Sequence, residues 1–201
     1  MDNALKQLLD NAIEIAASLF ERGKTSGSSA NMSLRYQETI YITRSGSSFR
    51  NLTYDDFVIP NKFQGRRPSK ELPLHETMYT NPSIHAVIHT HSFYSTLWSC
   101  LMHQDSLDIV PSYTPYLTMQ LGKIKEIPYH NPGSIELFTA FKEAYDGRLG
   151  LLLKNHGPIV GHETLEKAFN GLEELEESCK IAWHLKEYDI QEIQNISLHS
   201  L

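Results

Sequence analysis

The sequence predicts a single α/β domain in which a mainly antiparallel central β-sheet is flanked by helices. Three observations carry that expectation. The stretches Leu5 to Phe20 and Glu163 to Lys186 repeat apolar residues at three- and four-residue steps, as amphipathic helices do. Short apolar runs between them, at 31–43, 85–91 and 149–154, read as strands set apart by small-residue turns. A length of 201 residues suits one domain with a sizeable core, expected over 1–201 with its body at about 5–187 and a short C-terminal tail.

The first helix gathers Leu5, Leu8, Leu9, Ala12, Ile13, Ala16, Leu19 and Phe20 on one face and stops at Gly23. Ser26 to Ala30 turns into strands at about Asn31–Tyr36 and Thr39–Thr43, and Ser45-Gly46-Ser47-Ser48 is a second turn. Pro68-Ser69 opens a helix that carries Glu71 and His75 and ends at Asn81-Pro82. A strand follows over His85–Ser92, then a helix from about Ser92 to Met102. The region from Ile109 to Pro132 is rich in Pro and Tyr and reads as short strands and loops. Ser134 to Tyr145 reads as helix and Leu149 to Lys154 as a buried strand. The last helix has an apolar stripe from Leu165 through Ala168, Leu172, Leu175 and Cys179 to Trp183. Its face bearing Glu173, Glu174, Glu176 and Glu177 is expected to be solvated.

Composition narrows the function classes. A net charge of −6 offers no basic face for nucleic acid, Arg66-Arg67 with Lys70 being only a local exception. No apolar run approaches a membrane span, and the charges at Asp2, Lys6 and Asp10 argue against a secretory leader. The two cysteines, Cys100 and Cys179, lie in apolar helical patterns and are expected as buried free thiols. Neither nucleic acid nor membrane is expected as a partner, and the cytoplasm is the expected compartment.

The chemistry lies in the histidines. In His85-Ala86-Val87-Ile88-His89-Thr90-His91-Ser92, His89 and His91 fall on one face of a strand. Leu151-Leu152-Leu153-Lys154-Asn155-His156-Gly157 offers His156 at the end of another. Three histidines with an open fourth position describe catalytic zinc, whereas structural zinc is usually closed by four protein ligands. Spacing alone leaves open that these are ordinary hydrogen-bonded histidines. Gly27-Ser28-Ser29-Ala30-Asn31 and Ser45-Gly46-Ser47 are loops whose amides and hydroxyls can cradle a phosphate, or are simply turns. Pro68-Ser69-Lys70 adds a hydroxyl, a cation and a helix start whose dipole favours an anion. Glu71 is either a surface helix residue or a metal ligand and general base. His75, four residues on and on the same helix face, rivals it for that position.

The order of these motifs, Asn31 after a Gly/Ser turn, Ser45-Gly46, Pro68-Ser69-Lys70-Glu71, His89-Thr90-His91 and Asn155-His156-Gly157, resembles the class II aldolase/adducin family from about Leu5 to Leu185. Pro68-Ser69-Lys70-Glu71, Thr114-Pro115-Tyr116, Pro128-Tyr129 with Asn131-Pro132-Gly133, and Leu172 to Glu177 are most similar to its 3-oxo-tetronate 4-phosphate decarboxylase branch. The resemblance implies a three-layer α/β/α fold. It implies a metal on His89, His91 and His156, zinc first with cobalt or manganese as alternatives, and Glu71 as fourth ligand and acid/base. It implies substrate phosphate on Ser28, Asn31, Ser45, Gly46 and Ser69, with Lys70 on the phosphate or the substrate carboxylate. It further implies a homotetramer in which Tyr113 or Tyr116 serves a neighbour's site. Ala30 stands where many relatives have glycine, and Arg44 where proline is frequent, which leaves the phosphate cradle less defined than the metal centre.

The implied reaction converts a phosphorylated four-carbon 3-oxo sugar acid to dihydroxyacetone phosphate and carbon dioxide through a metal-stabilised enediolate, with Glu71 the proton donor. An aldolase of the fuculose-phosphate type reaches the same enediolate by breaking a different bond and is the first alternative. A pentulose-phosphate 4-epimerase fits less well, because Thr114-Pro115-Tyr116 supplies no acidic residue. A non-catalytic adducin-like interaction module would be marked by loss of the histidines, all of which are retained. A generic zinc hydrolase would need no phosphate on its substrate.

Overall fold

Asp2 starts the first helix, α1 (Asn3–Glu21): its carboxylate accepts the Leu5 N–H at 2.8 Å, satisfying one of the donors a helix start leaves bare. The computed structural model describes residues 2–62, 65–103, 107–194 and 196, so the end of the expected C-terminal tail, at 195 and 197–201, lies outside the described residues. Seven strands make one sheet: β1 (Asn31–Tyr36), β2 (Thr39–Thr43), β3 (Phe57–Val58), β4 (Ala86–His89), β5 (Lys125–Ile127), β6 (Gly150–Leu153) and β7 (Gly157–His162). Their spatial order is β3-β2-β1-β4-β7-β6-β5, and every pairing is antiparallel except β5 with β6.

Register decides which side chains meet. Asn31 lies opposite His89, and Ser33 opposite Val87. Partners directly opposite share a face, so Asn31, Ser33, Val87 and His89 look the same way. Helices α2 (Leu72–Met78) and α5 (Ile135–Ala144) cover that face, where Leu74, Met78, Leu137 and Phe141 pack with Val87, Leu151 and Ile159. On the opposite face Met32, Ile88, Leu152 and Val160 pack against Leu9 of α1, Trp98 of α3 (Phe93–Ser99), Leu117 of α4 (Tyr116–Leu121) and Leu172 of α6 (Leu165–Leu185). The result is the expected three-layer α/β/α arrangement around a mostly antiparallel sheet.

Several local expectations are corrected. The Pro/Tyr-rich region holds the helix α4 as well as β5, because Leu117 and Leu121, one helical turn apart, both reach the core. The short edge strand β3 and the strand β7 were not read from the sequence; β7 begins Gly157-Pro158, two residues that ordinarily mark a turn. Helix α2 begins at Leu72, not at Pro68, and α3 ends at Ser99. Cys179 is a buried free thiol as expected, but Cys100, at the C-terminal cap of α3, is exposed. Glu176 is buried: its carboxylate accepts the N–H groups of Tyr94 and Ser95 and the Ser95 hydroxyl at the start of α3. The solvated-face reading of the glutamates therefore fails at this position.

Candidate active site

Strand β4 ends at His89, so His91 lies just beyond it rather than within it. The extended course continues far enough for Thr90 N–H to donate to Pro158 C=O, and the two rings stay on one side with centroids 5.1 Å apart. His156 arrives on the tight β6–β7 turn, where Asn155 takes a left-handed conformation (φ 54°). Its ring centroid lies 4.8 Å from each of the other two. Gly157 lets the turn approach β4: a Cβ there would sit 2.4 Å from the Thr90 carbonyl oxygen.

The donor atoms converge. His89 Nδ1 lies 2.8 Å from Pro158 O, and a carbonyl only accepts, so Nδ1 carries the proton and Nε2 presents a lone pair. That Nε2 lies 3.3 Å from His156 Nε2 and 3.3 Å from Glu71 Oε2, and His156 Nε2 lies 3.3 Å from Glu71 Oε1. Burial pushes the His89 imidazole down to about 3, with His91 adding to the effect. His156 is pushed down to about 3 chiefly by burial, and His91 is lowered for the same first reason. Unprotonated imidazoles facing a carboxylate are unfavourable unless a cation lies among them. Donors about 2.0–2.1 Å from a tetrahedral zinc would be about 3.3–3.4 Å apart, which is the spacing among His89, His156 and Glu71. His89, His91 and His156 have ligand atoms within 4.8 Å of one another and can hold a metal.

A cavity of about 370 Å³ opens from this centre. Glu71, Asn31, His91 and His156 line it together with Ser28, Ser45, Gly46, Ser69 and Lys70, among others. Ser69 N–H donates to Thr43 O and Ser45 N–H to Arg67 O, so the segment carrying Lys70 and Glu71 runs beside the Ser45-Gly46 turn. Ser48 Oγ donates to Gly27 O at 2.6 Å and ties the two small-residue turns together. Because α2 starts only at Leu72, hydroxyls, amides and cations, rather than a helix start at Pro68, make up this cradle.

Among the residues singled out from sequence, His89 sits fully buried behind the cavity, and Tyr113 and Tyr116 are not among its lining residues. His75 points away from the three histidines, hydrogen-bonding Asn31 and Ser33, and so does not compete with Glu71. Arg44, read from sequence only as a departure, lines the cavity with its Nε 2.7 Å from Asp56 Oδ1. Its cationic type beside Ser45-Gly46 was the available signal.

The family model for the class II aldolase and adducin N-terminal domain matches residues 10–183. The chain is 35% identical over 192 residues to the 3-oxo-tetronate 4-phosphate decarboxylase of Escherichia coli (strain K12), covering 92% of this chain and 91% of that protein. It is 35% identical over 178 residues to the L-fuculose phosphate aldolase of Methanococcus maripaludis (strain DSM 14266), covering 86% and 94%. The crystal structure of YgbL from Klebsiella pneumoniae superposes with a TM-score of 0.87 at 33% identity, covering 93% of each chain.

Proposed function

The chain belongs to the class II aldolase and adducin family, and from that premise we propose that it is a metal-dependent 3-oxo-tetronate 4-phosphate decarboxylase. The observation that carries this reading is that one cavity joins the His91, His156 and Glu71 donors, with His89 buried against them, to a cradle of serine hydroxyls with two cations, Arg44 and Lys70. Its volume of about 370 Å³ suits a small molecule. Two cations suit a substrate with two anionic groups.

In this reading His89, His91 and His156 hold the ion, zinc first with cobalt or manganese accepted, and Glu71 is the fourth ligand. A bound dication supplies Lewis acidity toward the substrate ketone, making it the electron sink for a breaking C–C bond. The carboxylate carbon leaves as carbon dioxide, its bonding pair stays on C2, and a proton from the Glu71 carboxyl joins C2 to give dihydroxyacetone phosphate. Ser28, Ser45, Gly46 and Ser69 hold the phosphate with Arg44, and Lys70 answers the second anion. Asn31 lies between cradle and metal centre and serves Glu71 through its amide. We place the enzyme in the cytoplasm, as a homotetramer in which Tyr113 or half-exposed Tyr116 reaches a neighbour's site. No helix among the described residues is long and apolar enough to cross a membrane.

The aldolase reading uses the same centre and draws support from the similarity to the L-fuculose phosphate aldolase of Methanococcus maripaludis. Incubation with a 3-oxo-tetronate 4-phosphate and, separately, with fuculose 1-phosphate separates the two. Release of carbon dioxide with dihydroxyacetone phosphate from the first is expected. Aldehyde from the second, with no carbon dioxide from the first, would overturn the decarboxylase assignment.

A further inference from the structure

A line of buried hydrogen bonds runs from Glu71 into the protein, away from the cavity. Asn31 Nδ2 donates to Glu71 Oε2 at 2.8 Å. Asn31 Oδ1 lies 2.6 Å from His75 Nε2, and His75 Nδ1 lies 2.7 Å from Ser33 Oγ. Ser33 Oγ is in turn 2.8 Å from the Tyr79 hydroxyl. Asn31, Ser33, His75 and Tyr79 are 6%, 1%, 0% and 5% exposed, so water does not substitute for any of these partners.

Donor and acceptor chemistry gives the line a direction. An ionised carboxylate only accepts, so the Asn31 amide must turn its NH₂ to Glu71 and its oxygen to His75. His75 then donates from Nε2 and, being neutral, accepts at Nδ1 from the Ser33 hydroxyl. Ser33 accepts from Tyr79, so every hydrogen in the line points toward Glu71. Burial pushes the His75 imidazole down to about 3, so the ring stays neutral. Arg35 fixes the far end, donating to Tyr79 O at 2.8 Å with its guanidinium 4.6 Å above the Tyr79 ring centroid. The line exists because β1 and α2 face each other: Asn31 and Ser33 alternate onto the face that α2 covers, and His75 and Tyr79 lie one helical turn apart.

We propose that His75, backed by Ser33 and Tyr79, is a positioning residue for Glu71. It locks the Asn31 carboxamide in the orientation that donates to Glu71 Oε2, which leaves Oε1 as the oxygen that carries the proton. This rests on the reading of Glu71 as the acid/base. His75 touches neither metal nor substrate and acts only through Asn31.

The test uses purified full-length His75→Phe, His75→Gln, Asn31→Ala, the His75→Phe/Asn31→Ala double variant and Glu71→Gln, with rates expressed per bound metal. His75→Phe is expected to lower kcat about 10- to 100-fold, as loss of an outer-shell partner does, with KM changed less than about twofold. Cobalt affinity of the metal-free protein, read from the visible absorption of the bound ion, is expected to fall about tenfold. His75→Gln, whose amide both donates and accepts, should recover most of both. The double variant should be no slower than Asn31→Ala, because one residue acts through the other. Wild-type kcat in folded, metal-loaded His75→Phe, or losses that multiply in the double variant, would overturn the proposal. If His75→Phe does not fold, Ser33→Ala takes its place; a several-fold loss of kcat at unchanged KM supports the proposal and an unchanged kcat overturns it. Glu71→Gln separates the two readings. Wild-type turnover there removes Glu71 from the chemistry, whereas an inactive Glu71→Gln beside a wild-type His75→Phe defeats the positioning role alone.

Discussion

Gly157 holds the two histidine segments at a distance that no other residue permits. A Cβ at this position would lie 2.4 Å from Thr90 O and 3.4 Å from His91 Cα, and both are backbone atoms without rotamers to yield. Gly157→Ala must therefore move the end of β4 or the β6–β7 turn, and either shift separates His91 from His156. We expect a loss of roughly 1–3 kcal/mol in urea unfolding, typical of forced overpacking. Metal content should fall toward that of His91→Ala when the two are compared by elemental analysis. Near-wild-type metal content in Gly157→Ala would show that the turn adapts without cost to the site. At this scale the sequence was legible where chemistry is local. His89 and His91 two residues apart on extended chain, and Asn-His-Gly in a turn, needed no tertiary knowledge. The His75 role was not legible in the same way. Shared helix faces suggested rivalry with Glu71, but Glu71 precedes the first turn of α2, so the four-residue rule does not join them. What His75 meets instead is set by Asn31 and Ser33, more than forty residues away in sequence.

The short helix α3 follows directly on the metal-site segment and depends on a residue from another element. Glu176 of α6 accepts Tyr94 N–H at 3.1 Å, Ser95 N–H at 2.8 Å and Ser95 Oγ at 2.7 Å, and Lys24 Nζ lies 3.8 Å away. Removing this carboxylate strands buried donors at the helix start, each costing about 1–3 kcal/mol. Glu176→Ala is therefore expected to lose at least about 2 kcal/mol in chemical denaturation, and Glu176→Gln, which keeps one acceptor oxygen, appreciably less. Equal losses would mean that packing rather than hydrogen bonding holds α3 in place. The sequence could not single out Glu176, because Glu173, Glu174 and Glu177 surround it and none of them is buried. The elements that periodicity missed are of the same kind. Helix α4 is six residues long and β3 two, too short for a period to declare itself, and β7 is disguised by Gly157-Pro158. The long helices α1 and α6 and the strands β1, β2 and β6 were legible because their side-chain pattern is strong over their full length.

For the whole molecule, the buried histidines couple folding to acidity. His75 and His89 are held down to about 3 from an ordinary value of 6.5, burial being the first cause for each. Below about pH 6.5 the unfolded chain takes protons on both rings while the folded chain does not, so unfolding is favoured as pH falls. The contribution is fully present above 6.5, erodes as the pH drops through the window down to about 3, and is gone below it. Each such ring adds a slope of about 1.4 kcal/mol per pH unit in the steep part of that window. Metal-free protein unfolded in urea at pH 7.0, 6.0 and 5.0 should therefore lose stability steeply, before most carboxylates begin to titrate. His75→Gln should show a shallower slope by about one ring's share, even though its stability at pH 7 is lower. Loaded with zinc, the wild type should start more stable and fall more steeply still, because protons on the ligand imidazoles then expel the ion as well. A metal-free protein whose stability stays flat between pH 7 and 5 would mean that these histidines titrate when folded as they do when unfolded, and so are hydrated. The dry imidazoles, kept proton-free well below pH 6.5, from which the metal centre is inferred would then not exist.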